Sequence, residues 1–326
     1  MAIFRKEYDV ALDFLEQASP VDSGPLAIIE PDVHPTEVVA RATWLAKLTD
    51  CDLDLFLCDP DIGALREGFF VSNEARDIAE KIGQAQQEMI EELAQPARDA
   101  GINVTVDVLE ERPVADGILH KAINRNPSFV IKGTNYHSAA ERSIFVDTDW
   151  QLVRSCPYPL WLVKPHEIRE KPVIVAAVDP THSHDKPAAL DDSIVKNALS
   201  LANASGGEVH LLHTYHRLVG IGREATRTFK PIELPLDELS KKIQAEHREK
   251  LDALAKANGI DADHTHQLPG DTKELLPAFA RTHSADLVVM GALARWGLKR
   301  SILGSTAEKV LDHLPCDILI VRKAGD

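Results

Sequence analysis

The sequence predicts two tandem, doubly wound α/β domains of the Rossmann-like kind, each on a five-stranded parallel sheet. Three observations carry this. The first is a duplication: "ERPVADGILHKAINRNPSFVIKGTNYHSAAERSIFVDTDWQLVRSCPYPLWLVK" overlies "GDTKELLPAFARTHSADLVVMGALARWGLKRSILGSTAEKVLDHLPCDILIVRK". From Val114 and Thr272 onward the overlay has no gap, so Gly133 faces Gly291, Thr148 faces Thr306 and Pro157 faces Pro315. Upstream the phase shifts, but "LAIIEP" still matches "VAAVDP", with Pro31 opposite Pro180. The second is that short apolar runs alternate with helix-period segments, the pattern of parallel strands covered on both faces. The third is size: 326 residues, 44% of them apolar, suffice for two cores.

Each half reads in the same order. A buried strand, Leu26 to Ile29 or Val173 to Val178, ends at an acid followed by proline, which has no N–H to continue a ladder. A helix follows, Glu37 to Leu48 or Leu190 to Ala204, and then a second strand, Leu53 to Leu57 or Val209 to His213. After an irregular insert come a long polar helix, Asn73 to Ala100 or Leu236 to Asn258, and a third strand, Val104 to Leu109 or His264 to Leu268. A further helix leads to the fourth strand, Phe129 to Ile131 or Leu287 to Met290. A loop and a helix then precede the fifth, Leu160 to Val163 or Ile318 to Val321. The join falls in the polar, proline-flanked "KPHEIREKP". The expected division is therefore an extension over 1–22, a first domain over 23–165 and a second over 171–324.

Composition narrows the function. With 51 acids against 36 Lys and Arg, the formal charge is −15, and most of the surface repels nucleic acid and anionic lipid. Cys51, Cys58, Cys156 and Cys316 form neither a CxxC pair nor a disulfide framework, which suits reduced thiols in the cytoplasm. Acids interrupt the N-terminal segment, so no signal peptide is expected, and no stretch is apolar enough to span a membrane.

One loop stands out chemically. In "GALARWGLKRSILGSTAEKV", Gly291 ends the fourth strand and Gly304-Ser305 opens the last helix, at the strand ends where doubly wound sheets bind ligands. A helix start presents unpaired N–H groups and a positive dipole end, and glycine lets the main chain approach an anion. Ser305 or Thr306 can cap the helix or donate a hydroxyl to phosphate, while Arg295, Lys299 and Arg300 reverse the local charge of an acidic chain. Read only as spacing, the same residues also suit an ordinary capped helix with solvated cations.

Here the second half resembles a universal stress protein domain. Nucleotide-binding members of that family carry G-x2-G-x9-G-[ST] between the fourth strand and the last helix. Gly291, Ala294 and Gly304-Ser305 fall on that spacing, and Asp179 stands at the strand-end position where the family holds the nucleoside. The resemblance covers both repeats and is most similar to the tandem E type. It implies an adenine nucleotide, ATP or a relative, on Asp179, Pro180, Thr214, Gly291, Ala294, Arg295, Lys299, Gly304, Ser305 and Thr306, with at most weak hydrolysis. It also implies an internal pseudo-dimer through the two fifth strands, with a homodimer left open. Ala294 departs from the pattern by one methyl. The first half departs further: Tyr136, Val146 and Asp147 replace the glycines and the serine, and Glu30 replaces the aspartate, so that half is expected not to bind a nucleoside polyphosphate.

Other motifs weigh less. "THSHD", "HLLHTYH" and "DHTH" gather His182, His184, Asp185, His210, His213, His216, His264 and His266, which raises zinc. A solvated strand edge, with His213 in the core, is the preferred reading, and no metal ligand is assigned. No GxxxxGK[ST] or GxSxG occurs, "SGG" at Ser205 reads as a helix end, and Glu110, Glu111 and Arg112 read as a solvated loop. The inserts "HRLVGIGREATRTFKPIELP" and "DPDIGALREGFFVSNEAR", the latter with Phe69 and Phe70, mix apolar and charged residues. They keep a scaffold for a lipid-like small molecule, with a vestigial nucleotide loop, as the alternative function.

Overall fold

The structure, a computed structural model, describes residues 24–59, 72–109, 114–134, 148–181, 188–215, 236–292, 310–311 and 313–322. Two compact units emerge. One comprises described residues of 24–168 with 317–322, the other those of 169–292 with 310–316.

The first unit runs β1 (Leu26–Ile28), α1 (Pro35–Thr49), β2 (Leu53–Cys58), α2 (Asn73–Asp99), β3 (Val104–Leu109), α3 (Val114–Arg125), β4 (Val130–Gly133), α4 (Thr148–Ser155) and β5 (Leu160–Val163). Its strands lie in the order β3-β2-β1-β4-β5, all parallel. β1, β4 and β5 are buried throughout, as expected of strands covered on both faces. Helix boundaries follow local chemistry: Pro35 opens α1, where its missing N–H costs nothing, and Ser72 caps α2 by accepting from the Ala75 N–H at 3.3 Å. Trp161 is fully buried on β5, edge-on to Trp44 of α1.

A sixth strand completes this unit. β10 (Asp317–Val321) pairs antiparallel with β5, Leu319 opposite Trp161. These are the two fifth strands that the resemblance nominated for pairing, although in chain order β10 closes the second repeat. Its first residue, Asp317, is fully buried and heavily bonded. The carboxylate accepts from Arg41 Nε at 2.7 Å, Trp161 Nε1 at 2.9 Å and the Lys164 N–H at 2.9 Å. Arg41, itself 2% exposed, also donates to the His166 carbonyl.

The second unit runs β6 (Val173–Ala177), α5 (Ala188–Ser205), β7 (Glu208–Tyr215), α6 (Leu236–Ala257), a 3-10 turn at Ala262–His264, β8 (Thr265–Pro269), α7 (Thr272–Thr282) and β9 (Leu287–Gly291). The strands lie in the parallel order β9-β6-β7-β8. Asp271 caps α7, accepting from Lys273 N at 3.1 Å, and the Asp286 carboxylate accepts the Val173 N–H at 2.7 Å and binds Arg169. Among the described residues no helix is long and apolar enough to cross a membrane.

Candidate functional site

From β6 the chain winds outward through β7 and β8, then returns to place β9 on the other side of β6. The crevice between the carboxyl ends of β6 and β9 is therefore the topological switch point, where doubly wound sheets take ligands. Asp179 follows β6 and Gly291 ends β9, so two of the sequence candidates flank that crevice. Pro180 begins the turn after Asp179. Ala294, Arg295, Lys299, Gly304, Ser305 and Thr306 lie outside the described residues, as do Tyr136, Val146, Asp147, Phe69, Phe70, His182, His184, Asp185 and His216.

Asp179 is held from several sides. Its N–H donates to Asp191 Oδ1 at 3.0 Å, and its Oδ1 accepts from Thr181 Oγ1 at 2.7 Å and lies 4.0 Å from His213 Nδ1. His213, 1% exposed, is a core residue as expected. Its Nδ1–H donates to the Val178 carbonyl at 3.1 Å, leaving Nε2 to accept from His247 Nδ1 at 2.7 Å. Burial holds both imidazoles below the ordinary histidine range despite the Asp179 charge, so this pair is neutral at pH 7. Tyr215 lies beside His247, the rings tilted with centroids 5.1 Å apart. Thr214 sits one strand away from the switch point, its hydroxyl 2.5 Å from Thr272 Oγ1. Gly291 has a packing reason of its own: a Cβ there would lie 2.6 Å from Leu190 Cδ2 on α5.

In the first unit the corresponding crevice is filled from within. Lys132 on β4, whose side chain is 3% exposed, sits 2.5 Å from Glu30 Oε2 and 2.5 Å from Asp149 Oδ1. Asp149 also accepts from Thr134 Oγ1 at 2.6 Å. Desolvation opposes the Lys132 charge, yet Asp149 and Glu30 together raise its pKa above the ordinary lysine value, so it stays an ammonium. The main chain closes in as well, because a Cβ on Gly133 would lie 2.0 Å from the Val33 carbonyl oxygen. At the matching positions the second repeat has Asp179, Met290 and Ala307, a set that cannot form this triad.

Sequence reasoning missed Lys132 and His247. A lysine inside the apolar run "FVIKG" was the available signal for the first, since a buried ammonium requires carboxylate partners. Nothing local marked the second, one of many polar residues on α6.

These features define a tandem doubly wound α/β protein in which one repeat has closed its switch-point crevice with an ion triad. The profile of the universal stress protein family matches residues 26–164 and 173–322. The chain belongs to the universal stress protein family and carries two of its domains. It is 28% identical over 301 residues to universal stress protein E of Escherichia coli (strain K12), covering 91% of this chain and 93% of that protein. With a universal stress protein E homolog of Haemophilus influenzae it shares 28% over 310 residues, 91% of this chain and 96% of the other. Two solved structures share the fold: a functionally unknown Pseudomonas aeruginosa PAO1 protein (TM-score 0.68, 23% identity, 93% of each chain) and a universal stress protein from Archaeoglobus fulgidus DSM 4304 (TM-score 0.65, 16% identity, 93% of this chain and 97% of that one).

Proposed function

We propose that the second repeat binds an adenine nucleotide, ATP-like, at the ends of β6 and β9, and that the protein acts in the cytoplasmic stress response through ligand-dependent interaction. Asp179 faces the nucleoside in this reading, and the loop from Gly291 to Thr306, with Arg295 and Lys299, takes the phosphates. The observation that carries it is the asymmetry between the repeats. Glu30, Lys132 and Asp149 neutralise one another in the first crevice, whereas the second pairs an acid at the strand end with a glycine- and cation-bearing loop. A sugar hydroxyl suits a carboxylate acceptor, and phosphate suits helix-start N–H groups.

Calorimetric titration of the full chain with ATP tests this. Saturable binding that weakens at least ~10-fold, about 1.4 kcal/mol, in both Asp179→Ala and Gly304→Val is expected. Failure of the unaltered chain to bind at millimolar ATP, or unchanged affinity in Gly304→Val, overturns the reading. One observation favours the lipid-like scaffold as a second reading. A cavity of about 410 Å³ in the first unit is lined by Pro31, Ile78, Ile82, Ala85 and Met89 with Lys81 at its side, and Ile78 and Ile82 are 55% and 41% exposed.

A further inference from the structure

The parallel pairing of β7 with β8 sets His210 and His266 on one face of the second unit's sheet, opposite the face of His213 and Tyr215. α7 covers that face, and its C-cap residue is His283. Metal-capable atoms of His210, His266 and His283 lie within 4.8 Å of one another. The three rings form a nearly regular triangle, with centroids 5.2, 5.3 and 5.2 Å apart. A tetrahedral ion at the zinc–imidazole distance sits about 3.2 Å from each ring centroid, which separates the centroids by about 5.2 Å. His210 Nδ1 and His266 Nε2 are already 3.0 Å apart, against about 3.3 Å for the edge of such a tetrahedron.

From this arrangement we infer a binding site for a late first-row divalent cation, zinc foremost, on His210, His266 and His283.

Hydrogen bonds select the ligating atoms. His283 Nδ1–H donates to the Phe279 carbonyl at 3.0 Å, which leaves Nε2 for the ion. His210 Nε2 faces Glu208 Oε1 at 3.5 Å, which leaves Nδ1 and supplies the carboxylate–histidine contact common at zinc ligands. Glu208 also lies 3.8 Å from His264 Nε2. It therefore brings a balancing negative charge from outside the triangle. Burial and the neighbouring imidazoles lower His266 to about 4, and burial lowers His210, so both are neutral and competent at pH 7. Arg248, whose charge acts on His266, is paired with Asp252 at 2.8 Å. Imidazole donors without a thiolate suit zinc, copper or nickel over magnesium.

The first repeat shows what this face does without histidines. Strand register and the gapless overlay put Asp54 and Arg125 where the second repeat has His210 and His283, and there they form an ion pair at 2.5 Å. Both members of a charged pair are replaced by imidazole in the second copy. A burial role alone would be met by any apolar pair.

The test uses the full-length, tag-free protein stripped of metal. Titration with Zn²⁺ in a competing chelator, and with Co²⁺ followed by its visible absorption, should show one ion per chain and the intense bands of a tetrahedral Co²⁺ site, with no competition from Mg²⁺. His266→Gln and His283→Gln should each weaken Zn²⁺ binding by more than about 100-fold, Glu208→Gln by about 10-fold, and His247→Gln on the opposite face not at all. His283 lies at the end of α7, so its variant retains the core, and thermal unfolding of each metal-free variant checks this. No Zn²⁺ uptake by the unaltered chain, a weak octahedral Co²⁺ spectrum, or a loss in His247→Gln equal to that in His283→Gln would overturn the assignment.

Discussion

Replacing Lys132 by methionine, the residue at the matching position of the second repeat, tests whether the first crevice is held shut by its ion triad. The side chains of Lys132 and Asp149 are 3% and 5% exposed, whereas Glu30 is 27% exposed. Glu30 can therefore regain water when the ammonium is lost, but Asp149 cannot. Asp149 is left as a buried carboxylate that still accepts from the Thr134 hydroxyl but has lost its ammonium. Breaking a buried pair in this way costs about 3–5 kcal/mol. With a urea slope of about 2–3 kcal/mol/M, the unfolding midpoint of this unit should fall by roughly 1–2 M. Trp44, Trp150 and Trp161 belong to the unit, so fluorescence during urea unfolding follows it. The triple variant Glu30→Asp, Lys132→Met, Asp149→Ala copies the second repeat, removes the buried Asp149 charge and keeps an acid only at the partly exposed position 30. It should recover most of the loss. A midpoint change below about 0.3 M in Lys132→Met, or a triple variant as unstable as the single one, would refute the reasoning.

Two further outcomes follow from Asp317. Asp317→Ala strips Arg41 of its buried counter-ion and removes the carboxylate that accepts from the Trp161 and Lys164 N–H groups. It should cost about 3–5 kcal/mol by urea unfolding, while the double variant Arg41→Met, Asp317→Leu should cost less than the single one. His166 Nε2 lies 2.9 Å from Asp317 Oδ1 and 3.1 Å from the Asp317 N–H, so the ring donates to the carboxylate when charged and accepts from the main chain when neutral. The carboxylate raises the His166 pKa above its usual value, against desolvation and the Arg41 charge. Its contribution is then complete below pH ~6.5 and lost as pH rises through the folded-state value. Because the neutral ring keeps a partner, the change should stay below about 1 kcal/mol, and His166→Gln should abolish that slope in unfolding curves measured from pH 5 to 9.

The alternation of elements was legible because its cause is local. Runs such as "LAIIEP" and "VAAVDP" announce buried strands closed by proline, and every strand and helix named from the sequence among the described residues lies within a few residues of its expected place. Strand ends were less legible: β10 begins at Asp317, excluded from the expected strand because an acid in an apolar run looks like a boundary. Its burial is decided by Arg41, far away in the chain, and no window on "CDILIV" contains that information. The same reason hid the histidine triangle. His210 and His266 were visible in "HLLHTYH" and "DHTH", whose spacing suits shared coordination and a solvated edge equally, but the third ring, His283, lies alone in "ARTHSAD" and only the packing of α7 brings it to them. Asp179 and Gly291 were read from family spacing, and sheet order gives them their position beside the switch point. Gly291 also shows that spacing overstates chemistry, since the Leu190 side chain fills the space a Cβ would take whatever the loop binds.

Duplication explains why charge is distributed so unevenly between the repeats. A crevice at the carboxyl ends of parallel strands is lined by main-chain groups and strand-end side chains that need partners, and a buried charge with none costs several kcal/mol. The first copy supplies partners there from its own sequence, Lys132 for Glu30 and Asp149, and does the same away from the crevice, with Arg125 for Asp54 and Lys121 for Asp107 at 2.7 Å. The second copy lacks the internal cation at all three of these places, with Met290 in the first, His283 in the second and Phe279 in the third. Where a lysine became methionine, the neighbouring acid is Asp179 and the nearby loop carries the cations; where an arginine became histidine, its aspartate partner became histidine too. Changes that remove only a charge are neutral drift toward an apolar core. Changes that remove a charge and keep its partner position polar, in two separate places of the same copy, are what selection for ligands from outside the chain would leave.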